Sequence, residues 1–324
     1  MKAIALISGG LDSILAVRLI QRQGVTVVPL KFKIPFLHSN KEKTCHNPEA
    51  GLRTVDLSDD FLKMLKNPEH GYGANMNPCI DCKILMLRKA KELMPQFGAQ
   101  FIVTGEVLGQ RPMSQNKKAL YAIAEKAELE GLVVRPLCAR LLKETIPEKK
   151  GWINRQNLLD FNGRSRRPQM ELAKAFGIKD YAQPAGGCLL TDPEFTKRLK
   201  DLITHKDLNM KNVGLLKIGR HFRLTSKTKL VVGRNEGENE RLVKFTQDED
   251  YLFLPNEELA GPTALGRGIF NEELIKLSCS ITCSYCDLNG ANNARIVYKK
   301  IPDEEEKMLD VSAIKEKGLQ DFRI

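Results

Sequence analysis

The stretch KAIALISGGLDSILAVRLIQRQGVTVVPLKF, residues 2–32, decides the fold. KAIALIS and VTVVPLKF are apolar runs of strand length. Between them Ile14, Leu15, Val17, Leu19 and Ile20 recur with helical spacing. Strand, helix and strand in about thirty residues make a βαβ unit, which calls for a parallel sheet and a right-handed crossover. At its first turn stands Ser8-Gly9-Gly10-Leu11-Asp12-Ser13. A loop from strand to helix aims several backbone N–H groups one way, and the helix dipole adds positive potential there. The two glycines let backbone approach an anion closely, and Ser8 and Ser13 add hydroxyl donors. No Gly-Lys-Ser/Thr follows, so a loop of the kind that splits off a γ-phosphate is not expected. Asp12 would repel an anion it faced directly, and reads as a metal-side ligand or an N-terminal cap.

Outward from this unit, CKILMLRKAKELM reads as a helix from Cys82 to Met94 closed by Pro95, and AQFIVTG as a third strand ending at Gly105. Residues 40–80, rich in Asn, Pro and Gly, read as a long excursion from the sheet. From 151 to about 205 the signals are helical: RPQMELAKAFGI has an apolar stripe and a Gly stop, and TDPEFTKRLKDLITH starts on a cap and a first-turn Pro. After His205 the style changes. LLKIGRHFRLT and KLVVGR read as half-buried strands, and Asn235–Phe245 as a short helix. The expected class is α/β: a Rossmann-like parallel sheet over residues 1–206, with a smaller C-terminal α+β domain over 207–324. PDEEEKMLD is expected to be an exposed acidic tail.

The 324 residues carry a net charge of +11 and 42% apolar side chains, enough for two cores. There is no secretory pattern and no apolar run of membrane-spanning length, so a soluble, cytoplasmic protein is expected. The charge is uneven: residues 135–170 hold nine Lys/Arg against three Asp/Glu and include Arg164, Arg166 and Arg167. Such a face suits a polyanion, or is an ordinary solvated surface.

The string SGGLDS resembles the SGGxDS signature of the N-type ATP pyrophosphatases, the PP-loop superfamily. That resemblance implies a domain gripping the pyrophosphate of ATP, usually with Mg²⁺. It also implies a reaction in which AMP is attached to a substrate oxygen, pyrophosphate leaves, and a nucleophile then displaces AMP. It assigns ATP binding to Ser8, Gly9, Gly10, Leu11, Asp12 and Ser13. VTGE, Val103–Glu106, resembles the family's second strand-end element and adds Thr104 and Gly105.

Eight cysteines stand at 45, 79, 82, 138, 188, 279, 283 and 286. In a cytosolic chain close pairs point to metal or redox chemistry more than to disulfides. NPCIDCK sets Cys79 and Cys82 two residues apart at a helix start, where the dipole favours thiolate. PAGGCLLTD places Cys188 in a turn before another helix. Three such thiolates suit an iron–sulfur cluster with one iron open; alternatively Cys82 and Cys188 form a persulfide and resolving pair. Zinc would want a fourth ligand, for which His38, His46 and Cys45 are the candidates. The two cysteine contexts resemble the active-site elements of tRNA thiouridylases, and Cys at both 79 and 82 is similar to the subset built on a three-cysteine cluster, here a 4Fe–4S cluster on Cys79, Cys82 and Cys188. LGQRPMSQNKKAL and LLDFNGRSRRPQMELA resemble segments of the 4-thiouridine synthetase group. This likeness runs over about residues 1–205 and includes none of the N-terminal RNA-binding region typical of that group.

KIGRHFRL, VVGRNEGENERL and GPTAL resemble the RNA-binding domain of the NFACT proteins over about residues 207–300. Lys211, Lys217, Arg220, His221, Arg223, Lys227 and Lys229 form a basic series with Phe222 as a candidate stacking group, or alternate on strands with one face on a core. CxxxCxxC at Cys279, Cys283 and Cys286 has the spacing of a radical-SAM cluster, but too little chain follows it; buried or incidental cysteines are the expectation, with a local metal site as the alternative, and Cys138 and Cys45 read as structural.

Taken together these imply an ATP-dependent tRNA sulfurtransferase. Asp12, Cys79, Cys82 and Cys188 would carry the chemistry. Arg164, Arg166, Arg167, Arg220 and Arg223 would hold RNA, and a sulfur donor, sulfide or a carrier protein, would be the partner. An amide-forming PP-loop ligase, or an RNA-binding protein with an idle nucleotide site, are the alternatives.

Overall fold

The computed structural model describes residues 1–37, 51–181, 188–303 and 305–324. Packing divides the chain into two units, Met1–Asp192 and Pro193–Ile324. The first is framed by β1 (Lys2–Leu6), β2 (Thr26–Lys33), β3 (Arg53–Asp56), β4 (Phe101–Val103) and β5 (Val133–Val134), in the order β3-β2-β1-β4-β5. All four pairings are parallel, with Lys2–Leu6 opposite Thr26–Leu30 and Ala3–Ala5 opposite Phe101–Val103. The middle strands are covered on both faces, which is why their sequences are apolar runs without alternation. Around them lie α1 (Leu11–Gln21), α2 (Ser58–Lys66), α3 (Cys79–Phe97), α4 (Lys117–Lys126), α5 (Ile146–Lys149) and α6 (Arg167–Ala175).

Helix α1 is buried on two sides. Ala16, Val17 and Ile20 face a core with Ala3, Ala5, Phe101 and Val103 of the sheet. Leu11, Leu15 and Leu19, one turn apart, pack with Val107, Leu137 and Ala173 of α6. The start of α1 is thus fixed from both sides, and with it the glycine loop.

Two local expectations change. Residues 53–66 are not an excursion: Leu30–Lys33 recruit Arg53–Asp56 as a fifth parallel strand, and α2 follows. Helix α3 starts at Cys79 and runs through Pro95 to a left-handed Gly98, φ 61°, because a proline in the last turn forfeits a single backbone hydrogen bond.

The second unit is an antiparallel sheet in the order β11-β10-β8-β9-β7-β6. Its strands are β6 (Arg220–Thr225), β7 (Thr228–Val232), β8 (Tyr251–Pro255), β9 (Ala264–Gly268), β10 (Asn293–Lys300) and β11 (Lys307–Ser312). Its helices are α7 (Pro193–Thr204), α8 (Met210–Leu215), α9 (Glu236–Lys244), α10 (Glu272–Cys283) and α11 (Glu316–Gln320). Helix α10 covers Phe222, Leu230, Phe253 and Ile296. Helix α7, placed before the boundary in the sequence reading, goes with this unit because its Asp201 pairs with Arg223 and Lys229. Lys307–Asp310, the end of the expected tail, belongs to an edge strand, Lys307–Ser312, paired to β10.

Candidate active site

Strand order reverses at β1, flanked by β2 on one side and β4 on the other, and a crevice opens beyond the carboxyl ends of such strands. The loop of residues 7–10 leaves β1 there. Gly9 sits at φ +77°, a conformation a side chain resists. The Ser13 hydroxyl donates to the Gly10 carbonyl (2.8 Å) and accepts from the Ser8 amide (3.3 Å), so the two serines brace the turn. Leu11 is wholly buried, which leaves only its backbone for a ligand. Asp12 is not the cap: Gly10 holds that position, without any side-chain bond. Instead one Asp12 oxygen accepts from Gln110 Nε2 (3.0 Å), while its Oδ1 is buried with no partner. An orphaned carboxylate oxygen beside a loop of amide donors fits a Mg²⁺ ion accompanying a phosphate chain.

From β4 the chain brings Gly105 against the first turn of α1. A β-carbon there would lie 2.6 Å from the Asp12 carbonyl carbon and the Ser13 nitrogen, so only glycine fits. Thr104 is buried and its hydroxyl donates to Glu106 (3.0 Å). Glu106 also pairs with Lys83 and with Arg135 Nε (2.9 Å). Burial alone would raise this carboxyl; the charges of Lys83 and Arg135 overcome it and hold it at about 2. One carboxylate against two cations leaves positive charge beside α3. The sequence reading did not single out Glu106, Lys83, Arg135 or Gln110 as site residues. Glu106 and Gln110 do lie inside the quoted strings VTGE and LGQRPMSQNKKAL.

Cys79, Cys82 and Cys188 lie within electrostatic reach of one another. Cys79 and Cys82 are one turn apart on α3, and Cys79 Sγ donates to Asn77 Oδ1 (3.1 Å). Cys188 is delivered by a bridge between Leu37 and Cys188, and its thiol donates to the Phe36 carbonyl (3.4 Å). The segment after it is tied to the segment before Cys79: Asn75 Nδ2 donates to the Thr191 carbonyl (2.8 Å), and the Met76 amide to that of Leu190 (3.2 Å). Burial pushes Cys82 up to about 12, with Cys188 and Cys79 adding to the rise and Lys83 and Arg111 opposing it. Burial likewise takes Cys188 up to about 11. The expected thiolate at the helix start is therefore corrected for Cys82: the helix begins three residues earlier, and desolvation outweighs the dipole.

Among the described residues, Glu69, His70 and Asp81 bring three ligand atoms within 4.8 Å of one another, whereas no three cysteines do. The thiols thus do not surround a single ion. A cluster places each thiolate on a different iron and takes a wider set, so three soft donors from two segments fit a 4Fe–4S group. His38, Cys45 and His46 lie outside the described residues.

Elsewhere the sequence-predicted residues divide. Arg164 is exposed. Arg167 is exposed and pairs with Glu171 (2.9 Å), and Arg166 carries a buried, unpartnered Nε. Of the basic stretch 135–170, Arg135, Arg140 and Arg155 pair with Glu106, Asp160 and Glu148. In the second unit Arg220 lies over the Tyr285 ring at 4.6 Å. Arg223 is not a free RNA contact: it is bound to Asp201 (2.6 Å) and Asp207 (3.3 Å). Phe222 is no stacking group either, being fully buried in the core, and His221 and Lys229 are buried beside it. Of the basic series, His221 and Lys229 are buried, Arg220 and Arg223 half-buried, and Lys211, Lys217 and Lys227 exposed. Cys279 and Cys283 are fully buried in α10, and Cys138 is buried in the first unit.

Comparison with known proteins agrees with this division. Residues 1–150 match the family model of the thiamine biosynthesis protein ThiI, and residues 219–323 that of the NFACT protein RNA binding domain. Each match falls within one of the two units. "Probable tRNA sulfurtransferase" of Thermococcus kodakarensis is 30% identical over 42% of this chain and 36% of its own. That of Methanosarcina mazei is 31% identical over 34% and 29%. "tRNA-specific 2-thiouridylase MnmA" of Helicobacter hepaticus is 29% identical over 40% of each chain. The chain thus spans about a third of the length of such relatives. A solved 4-thiouridine synthetase–RNA complex with bound ATP is 22% identical, with a TM-score of 0.34, over 55% of this chain and 51% of that one.

Proposed function

We propose that the protein is an ATP-dependent tRNA sulfurtransferase that adenylates a uridine and replaces its carbonyl oxygen with sulfur. The observation carrying this reading is that Cys79, Cys82 and Cys188 lie within electrostatic reach of one another, and Cys82 and Cys188 of Arg111, whose neighbour Gln110 bonds Asp12 of the glycine loop (3.0 Å). Amide formation needs no converging thiols.

Backbone amides of residues 9–13 and the serine hydroxyls would hold the pyrophosphate of ATP, and Asp12 would face the Mg²⁺ on it. The uridine carbonyl oxygen attacks the α-phosphorus, pyrophosphate leaves, and positioning with charge neutralisation carries the step. Cys79, Cys82 and Cys188 would hold the 4Fe–4S group. Bound there, it supplies an open iron site for a sulfur ligand. The high Cys82 and Cys188 values favour this over a free persulfide pair, because neutral thiols are poor nucleophiles whereas bound metal displaces the proton. The exposed arginines of 164–167 and the second unit would hold the tRNA, and sulfide or a carrier protein would supply sulfur, in the cytoplasm.

Nucleoside analysis of tRNA from cells lacking the protein tests the reading. Loss of one thionucleoside, restored by the wild-type gene and not by Cys82→Ser, is expected. An unchanged nucleoside set would end it.

A further inference from the structure

The loop between β4 and α4 joins the two halves of the site, and an arginine stands at the joint. Gly109 N donates to the Gln115 carbonyl (2.7 Å) and Gln115 N to the Arg111 carbonyl (2.9 Å), closing residues 109–115 into a tight turn. Gln110 anchors that turn to Asp12 of the glycine loop (3.0 Å). Met113 anchors it on the other side: its thioether fills the space over Gly73, and the Gly73 amide bonds the carbonyl of Asn77 (2.9 Å), two residues before Cys79. Arg111 lies between these anchors. It is exposed, and among the described residues no carboxylate pairs with it. Its charge reaches both Cys82 and Cys188, opposing their rise. The basic residues around it are otherwise engaged, Lys83 and Arg135 on Glu106.

We propose that Arg111 is a catalytic residue that binds the α-phosphate of the adenylated base and neutralises AMP as it departs. The proposal rests on the sulfurtransferase reading and names a group for its second half. In the first half-reaction the α-phosphate keeps its single negative charge, passing from anhydride to ester. In the second, a hydrosulfide-class nucleophile forms the C–S bond, and its proton passes to the ring nitrogen that gave one up on adenylation, leaving the thione. The C–O bond to phosphate breaks, and its electron pair stays on the departing oxygen. AMP then carries one more negative charge than the ester did. A guanidinium pairs two N–H groups with two phosphate oxygens, and this one needs to surrender no carboxylate to do so. Its stabilisation therefore grows in the second step and is nearly constant in the first.

The test uses the full-length protein under anaerobic conditions, with unmodified tRNA, α-labelled ATP and sulfide. Arg111→Ala should release pyrophosphate within a few-fold of the wild-type rate yet form thionucleoside about 100-fold more slowly. Labelled adenylated tRNA should then accumulate. AMP affinity, measured without RNA, should fall about tenfold, and Arg111→Lys should recover part of both losses. Equal slowing of the two half-reactions, or unchanged AMP affinity, would overturn the proposal. A wild-type protein that releases no pyrophosphate with tRNA would end the parent reading instead. The AMP titration would then judge Arg111 by itself, unchanged affinity removing the phosphate contact.

Discussion

Gly105 and Asp12, far apart in sequence, touch so closely that a β-carbon on Gly105 would lie 2.6 Å from the Asp12 carbonyl carbon. The obstacle is backbone at the first turn of α1, held from the sheet side and from the α6 side, so it has little room to retreat. Gly105→Ala should therefore displace the glycine loop, lowering ATP affinity at least about tenfold and stability by about 1–3 kcal/mol. Gly9→Ala meets no neighbour within 4 Å and should cost only the strain of φ +77°, about 1–2 kcal/mol. Nucleotide titration and thermal melts of the two variants check the difference.

Glu106 links the end of β4 to α3 through Lys83 and to β5's flank through Arg135. Its folded-state value of about 2 lies below the ordinary 4.5, so the unfolded chain binds the proton more readily. The pair's contribution is fully present above pH about 4.5 and is lost as pH falls towards about 2. Glu106→Gln should flatten that part of the stability profile and cost about 3–5 kcal/mol at neutral pH, because two cations lose their common partner. Urea denaturation from strongly acidic to neutral pH reads both effects.

The frame of the site was legible because its signals are local. Residues 2–32 contain strand, turn, helix and strand with their own periodicities, and Cys79 and Cys82 announce themselves by spacing. What escaped is non-local or too short to have a period. Arg53–Asp56 is four residues with charged ends, and becomes a strand only because β2 offers a free edge. The Glu106 partners and the Gln110–Asp12 bond cross 23 to 98 residues of chain. Phe222 looked available because its neighbours are charged, but alternation along β6 turns it into the core.

Cys82 offers a test that needs no RNA. With its thiol pushed up to about 12, the metal-free protein should react slowly with iodoacetamide at neutral pH. The rate should keep climbing with pH beyond the ordinary thiol value of 9.0. Reconstitution with iron and sulfide should protect Cys79, Cys82 and Cys188 together. Mass spectrometry of alkylated peptides follows each site; a Cys82 already saturated in rate at pH 8 would contradict the burial argument.

Arg164 and Arg223 should respond in opposite ways. Arg164 is exposed, so Arg164→Ala should leave stability within about 0.5 kcal/mol. If it contacts a phosphate, the variant lowers the slope of log K for tRNA against log salt by about 1. Arg223 instead satisfies Asp201, whose carboxyl burial would raise but whose bonds to Arg223 and Lys229 hold it down. Arg223→Ala leaves that buried carboxylate with Lys229 and His205 alone, and should cost about 3 kcal/mol while leaving the salt slope unchanged. Salt-dependent tRNA binding alongside denaturant melts of both variants separates an arginine that meets RNA from one that holds α7 to the sheet.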